Sequence, residues 1–189
     1  RPAANAFDND PAHEHILLDG DALSVGCDYF DIRKIVHSPD HRLIAYSTDD
    51  KGSELYTLRI RDIETGENLA DVIEDTRGDV AWANDSRTLY YIRVDANHRP
   101  RAVFRHRIGT PVETDECVYE EADESFFLAL GRTQSRAFVL INAHDHQTSE
   151  FHVLDANDPA AKPRVVVARS TGHEYDVEHH GERFIITTN

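Results

Sequence analysis

The segment Arg42–Thr48 reads RLIAYST, and its pattern of an arginine followed by apolar, β-branched and aromatic residues occurs three more times. The other copies are Arg87–Val94 (RTLYYIRV), Arg136–Ala143 (RAFVLINA) and Arg183–Asn189 (RFIITTN). Polar residues that favour turns precede each arginine. A period of roughly 40–50 residues that holds only strand-like segments is typical of β-propeller blades.

Each repeat contains candidates for the further strands that a four-stranded blade requires. A run with an aromatic marker follows each arginine, a short apolar run comes next, and another apolar strand precedes each arginine. The aromatic markers are Tyr56, Phe104 and Phe151, and the short apolar runs centre on Val72, Val118 and Val165. The sequence therefore predicts an all-β chain that forms a partial β-propeller of about three and a half blades.

The repeat also predicts the domain organisation. Residues 1–26 are read as an N-terminal arm or linker, with an apolar island at Ile16–Leu18 and one short helical turn near Ala22. Residues 27–189 are read as an incomplete propeller. Its blades span about 30–74, 78–121 and 125–169, and the first two strands of a fourth span 171–189. Because the fourth copy ends within its own strand, the chain is expected to be a piece of a larger protein.

Composition limits the partners and the compartment. The formal net charge of −15 argues against nucleic acid, since phosphate binding needs a basic patch. Two interpretations of this negative charge are open: it keeps the protein soluble, or it attracts a cationic substrate. No apolar run is long enough to span a membrane and no secretory signal is visible. Cys27 and Cys117 have no partner spacing, which predicts free thiols, a reducing cytoplasmic location, and burial of Cys117 as a small apolar residue.

The sequence carries few motifs for catalysis or cofactor binding. It has no G-x-S-x-G pentapeptide and no glycine-rich phosphate loop, so no catalytic residue and no cofactor are predicted. Short histidine clusters occur at His13–His15, His144–His146 and His179–His180. No third ligand follows at a recognisable spacing, so no metal is predicted, and solvated loop histidines are favoured over a metal site at His144 and His146.

Acidic residues precede the strand that opens each repeat. In a propeller these strands line a central channel, so repetition would gather carboxylates around one mouth of that channel. The candidates for steering a cationic substrate are Asp79, Glu124, Glu174 and Asp176. The alternative is that they are turn-forming residues between blades.

Several segments resemble oligopeptidase B (protease II) of the prolyl oligopeptidase family of serine peptidases. They are HSPDHRLIAYSTDDKGSELYTLRIRD, DVAWANDSRTLYYIRVDANHRPRAVFRHRIGT and EYDVEHHGERFIITTN. The resemblance implies a seven-bladed propeller that caps a C-terminal α/β-hydrolase domain, which this chain lacks. It implies cleavage of short peptides after Arg or Lys by a Ser-Asp-His triad in that domain. The propeller would restrict access by size, and this chain alone would be inactive.

Two further interpretations concern partners. A non-enzymatic propeller that binds a protein or peptide is the alternative function, since propellers host many functions. The open edges of an incomplete ring also predict a dimer formed by pairing of edge strands.

Overall fold

The computed structural model describes residues 14–189, and β-strands make up most of this range. It contains one short helix, α1 (Gly20–Leu23), one 3₁₀ turn (Val112–Thr114) and thirteen strands. The strands are β1 (Asp31–His37), β2 (Leu43–Asp49), β3 (Tyr56–Asp62), β4 (Asn68–Trp82), β5 (Thr88–Val94), β6 (Pro100–Arg107), β7 (Glu116–Glu120), β8 (Phe127–Arg132), β9 (Phe138–His144), β10 (Ser149–Asp155), β11 (Arg164–Val165), β12 (Tyr175–His180) and β13 (Arg183–Thr188). The all-β prediction is confirmed.

The strands form three antiparallel meanders in which each strand pairs with its neighbours in sequence. The first sheet contains β1 to β7 in order, the second contains β8 to β11, and the third contains β12 and β13. The 15-residue β4 serves two pairings. Its first part pairs with β3 through Leu58 and Ile73, and its last part pairs with β5 through Ala81 and Tyr90. One long strand therefore connects two successive four-stranded units.

A break in register within β4 separates its two pairings. The shift falls between Thr76 and Val80, and Gly78 lies inside it with a φ of 92°. A residue with a side chain rarely adopts this backbone conformation, and glycine adopts it freely. Bulges of this kind bend a strand and increase its twist. The bend lets β4 leave one blade and begin the next without an intervening loop.

The core lies between adjacent four-stranded units as three apolar clusters. The arginine-led strands β2, β5 and β9 are almost wholly buried, as expected for strands covered on both faces. Trp82 is fully buried, and its indole N–H donates to the Val36 carbonyl at 3.0 Å. By contrast, Ile185 and Ile186 on β13 are 52% and 41% exposed. The blade-on-blade packing is therefore tightest around the first three arginine-led strands.

The short helical turn expected near Ala22 is α1. The Asp19 carboxylate accepts from the Ala22 backbone N–H at 3.0 Å, which satisfies one of the free donors at the start of the helix. The apolar residues Ile16 and Leu17 are exposed. The first 13 residues of the expected arm, with His13, lie outside the described residues. No helix within residues 14–189 has the length and apolarity to cross a bilayer.

The prediction that Cys117 is buried is wrong. Cys117 lies on β7, the last strand of the seven-stranded sheet, and it is exposed. A strand at the edge of a sheet has a neighbour on one side only, so an apolar sequence there does not guarantee burial. The neighbouring Val118 and Tyr119 are the residues of β7 that pack against the core. Cys27 and Cys117 are both free thiols.

Candidate functional site

The four predicted steering carboxylates lie in three different surroundings. Asp79 lies inside β4, Glu124 lies in the loop before β8, and Glu174 and Asp176 lie at the start of β12. The strands that open successive repeats pack against each other from β1 to β4 and from β4 to β8. The structure thus brings Glu174 and Asp176 together and gives Asp79 and Glu124 separate neighbours.

Asp79 is paired with a cation of the preceding unit. Its carboxylate lies 4.0 Å from the guanidinium of Arg33 on β1, and its side chain is 18% exposed. Burial raises the pKa of Asp79, and Arg33, Lys34 and Arg77 oppose that effect. A carboxylate that is partly buried and already next to cations contributes little to an external field. Asp79 therefore links β1 to β4, and its role in steering a cationic substrate stays a prediction.

Glu124 is exposed and lies beside a tight turn. Its neighbour Asp123 accepts from the hydroxyl of Ser125 at 2.7 Å and from its backbone N–H at 2.9 Å. These hydrogen bonds lower the pKa of Asp123. A side chain that accepts from a residue two positions later is typical of a turn. For Asp123 the geometry matches the turn-forming alternative. Glu124 lines a small cleft together with Arg99 and Arg101.

Glu174 and Asp176 line a cleft that combines several carboxylates with polar groups. Its volume is about 370 Å³. The lining also includes Asn142 and His144 from β9 and Asp145 from the following turn, and it contains no lysine or arginine. Asn142 Oδ1 and His144 Nδ1 are buried without a hydrogen-bond partner within residues 14–189. This combination favours a ligand that carries positive charge and hydrogen-bond donors.

A second charged cluster was not visible in the sequence. The guanidinium of Arg169 lies between the carboxylates of Glu121 and Glu150, at 2.5 Å and 3.0 Å. It also stacks 3.9 Å from the centre of the Phe126 ring. Burial raises the pKa of Glu150, but hydrogen bonds from Arg169 and His152 outweigh it and lower that pKa to about 2. The three charged residues are far apart in the chain, so no local motif could reveal them.

The histidine clusters do not assemble a metal site in the part of the chain that the structure describes. No group of three or more His, Cys, Asp or Glu residues there is placed to hold a metal ion. His144 ends β9, and its ring lies 6.4 Å from the Phe127 ring. His146 is exposed in the following turn. The described geometry therefore gives no support to a metal-binding function.

Comparison with known proteins places this geometry in a family. The profile of the domain described as "Prolyl oligopeptidase, N-terminal beta-propeller domain" matches residues 3–189. The chain belongs to this family of propeller domains. The prediction of a β-propeller is thereby confirmed, and so is the resemblance to the prolyl oligopeptidase family.

Individual relatives agree with this assignment. The chain is 37% identical over 188 residues to dipeptidyl aminopeptidase BI from Pseudoxanthomonas mexicana, covering 99% of this chain and 26% of the relative. It is 34% identical to Protease 2 from Moraxella lacunata, covering 94% of this chain and 26% of that protein. The chain thus spans about a quarter of the length of these curated relatives.

Solved structures of oligopeptidase B show the same architecture. The structure from Leishmania major matches with a TM-score of 0.92 and 29% identity, covering 98% of this chain and 26% of that one. The structure from Trypanosoma brucei, described as a closed form with covalently bound antipain, matches with a TM-score of 0.84 and 33% identity. This match covers 93% of the present chain and 25% of the other.

Proposed function

We propose that this chain is the first part of the propeller of a serine oligopeptidase that cleaves short peptides after Arg or Lys. The observation that carries the proposal is the match to oligopeptidase B from Leishmania major, which extends over 98% of the chain at a TM-score of 0.92. In this proposal the serine, aspartate and histidine of the triad lie in an α/β-hydrolase domain outside these 189 residues. The propeller admits flexible peptides and excludes folded proteins.

The charge of the chain supports a preference for basic peptides. The net charge is −15, and the cleft at Glu174 and Asp176 carries carboxylates without lysine or arginine. A field of one sign raises the local concentration of oppositely charged ligands. Salt weakens this effect, because the screening length in water is about 8 Å at physiological ionic strength. We therefore propose that the propeller attracts the substrates that the hydrolase domain cleaves.

A second candidate activity comes from the relative in Pseudoxanthomonas mexicana. That protein is named a dipeptidyl aminopeptidase and is 37% identical to this chain. An enzyme that removes dipeptides needs a free amino terminus on its substrate, and an endopeptidase does not. A pair of peptides that differ only in an acetyl group on the amino terminus separates the two activities. Equal cleavage of both peptides after arginine supports the oligopeptidase.

The test of the proposed function uses the longer protein that contains this chain. We expect its remaining sequence to encode a G-x-S-x-G motif, and the purified protein to hydrolyse an arginine amide in a manner blocked by a serine-directed reagent. The 189-residue chain alone is expected to show no hydrolysis. A longer protein with no such motif and no hydrolysis would favour the non-enzymatic propeller scaffold. Hydrolytic activity that stays with the repurified 189-residue chain would contradict the proposal that the catalytic triad lies outside these residues.

We also propose a cytoplasmic location. The free thiols of Cys27 and Cys117 fit a reducing compartment, where disulfides rarely persist. Cell fractionation followed by detection of the protein tests this, and recovery in a secreted or periplasmic fraction would contradict it.

A further inference from the structure

A histidine without solvent exposure lies between two buried carboxylates in the first sheet. The side chain of His106 on β6 is 0% exposed. Its Nδ1 lies 2.8 Å from Asp115 Oδ1, and its Nε2 lies 3.0 Å from Asp71 Oδ1. The two carboxylate side chains are themselves 2% and 5% exposed. Both ring nitrogens therefore face an acceptor in a site that water does not reach.

The hydrogen-bond partners decide which form of the ring fits this site. A neutral imidazole carries one N–H and donates once, so one of its nitrogens would face a carboxylate oxygen with no proton between them. The other donors in the site do not remove this conflict. The Gly109 backbone N–H donates to Asp71 Oδ1 at 2.5 Å, and the Tyr91 hydroxyl donates to Asp115 Oδ2 at 2.9 Å. A second proton on the ring satisfies both carboxylates at once.

We propose that His106 is held in its doubly protonated, positively charged form and that this charge ties β4 to the hairpin between β6 and β7. Asp71 lies in the first part of β4, which pairs with β3, while Asp115 lies just before β7. The tie therefore joins the last strand of one four-stranded unit to the next unit at its outer side. The register break at Gly78 joins the same two units within β4 itself.

The surrounding charges agree with a retained proton. The titratable groups that contact the ring from the neighbouring elements are Asp71 of β4 and Asp115 before β7, with the Tyr91 hydroxyl of β5 behind Asp115. Burial raises the pKa of Tyr91, and the carboxylate of Asp115 adds to that rise, so its hydroxyl remains a donor. The guanidinium carbon of Arg93 lies 5.8 Å from the centre of the Tyr91 ring. Two buried acids thus depend on one imidazolium for charge compensation.

The decisive measurement is the ¹⁵N spectrum of the histidine side chains in the uniformly labelled 189-residue chain. We expect both ring nitrogens of His106 to carry protons at pH 7.5, a pH at which free histidine in water is mostly neutral. The signals of His106 are assigned by their loss in the His106→Gln variant. A spectrum in which one ring nitrogen of His106 lacks a proton at pH 7.5 would overturn the proposal, because the shared proton would then lie on a carboxyl group.

A pair of aspartate variants tests the tie itself. Asp71→Asn removes one of the two charges that hold the second proton, so we expect the ring of this variant to hold that proton less firmly than the wild-type ring does. Amide hydrogen exchange in β4 and at Gly109 should accelerate at least about tenfold, since the link between the two units is weakened. The control is Asp50→Asn, which alters an exposed carboxylate in the β2–β3 turn. Equal effects of both variants would refute the tie, and if Asp71→Asn does not fold, the wild-type spectrum alone decides.

Discussion

Arg169 donates a hydrogen bond from its guanidinium to the carboxylate of Glu121, and Nη2 of the arginine lies 2.5 Å from Oε2 of the glutamate. Arg169 follows β11 and Glu121 follows β7, so the contact connects the ends of two successive four-stranded units. The same guanidinium group bonds Glu150 on β10 and stacks on Phe126. One guanidinium thus pairs with two carboxylates whose side chains are only 6% and 12% exposed.

Removal of Arg169 is expected to destabilise the chain strongly. Arg169→Ala removes the guanidinium that pairs with Glu121 and Glu150. Loss of one partner of a buried ion pair costs about 3–5 kcal/mol, so we expect about 2–4 kcal/mol for this partly exposed cluster. The free energy of unfolding from urea titration measures the effect. The control is Arg164→Ala, an exposed arginine on β11 that should change stability by less than about 0.5 kcal/mol. Equal stability of the two variants would show that the cluster contributes no net stability.

Acid should weaken the same cluster. Hydrogen bonds hold the pKa of Glu150 at about 2 in the folded chain, while an unfolded glutamate titrates near pH 4.3. The stabilisation is therefore complete above the unfolded pKa and is lost as the pH falls towards the folded one. We expect wild type to lose about 2 kcal/mol more than Glu150→Gln between pH 5.5 and pH 3.

The control for this pH series is Glu64→Gln, in the turn between β3 and β4, where the side chain is exposed. It should follow the wild-type curve. If Glu150→Gln follows that curve as well, Glu150 is not the residue that links stability to acid.

Replacement of Gly78 is expected to disturb the bend within β4. Gly78 has a φ of 92°, and a Cβ atom there would lie 2.6 Å from Arg33 Cδ and 3.0 Å from Tyr56 Cγ. Gly172 has a similar φ of 79°, but its Cβ atom would meet nothing within 4 Å. Gly172→Ala should cost about 1 kcal/mol from backbone strain, and Gly78→Ala about 2–3 kcal/mol because crowding is added. Thermal unfolding of both variants checks the difference, and equal costs would show that Arg33 and Tyr56 move aside freely.

The strands were predictable because their signals are local. Turn residues, β-branched runs and the alternation in Tyr56–Asp62 all lie within a few positions of each other, and the strands form where these signals occur. Burial on both faces also follows from the nearly continuous apolar composition of the arginine-led strands.

Contacts between units were not predictable in the same way. The sequence predicts Asp79 as a candidate steering group or a turn residue, but it does not show that Arg33, which is distant in the chain, lies beside it. The Arg169 cluster and the contacts of His106 likewise join residues with no shared motif. Such pairings depend on how blades stack, which the repeat period does not specify. The prediction that Cys117 is buried is wrong for the same reason. The middle of β7 is apolar in sequence, but the strand lies at a sheet edge.

We propose that two copies of the isolated chain pair through β13. This strand pairs with β12 on one side, and Ile185 and Ile186 on it are 52% and 41% exposed. An exposed apolar strand with a free edge tends to recruit another strand. Light scattering should report a dimer, and Ile186→Lys should shift it towards monomer. Val25→Lys, at a residue that is 81% exposed and outside β13, should leave the dimer intact. A wild-type monomer at high concentration would contradict the proposal.

Neutralising the cleft carboxylates should weaken electrostatic attraction of basic peptides. In the longer protein, the double variant Glu174→Gln/Asp176→Asn removes two exposed charges that have no described cationic partner. We expect kcat/KM for a short arginine peptide to fall roughly threefold at low salt and to depend less on salt than in wild type. Asp79→Asn is the matched comparison. Because Asp79 already lies next to Arg33, this variant should change the salt dependence of kcat/KM little. Parallel salt curves for the double variant and wild type would leave Glu174 and Asp176 as turn and strand-edge residues without a role in steering.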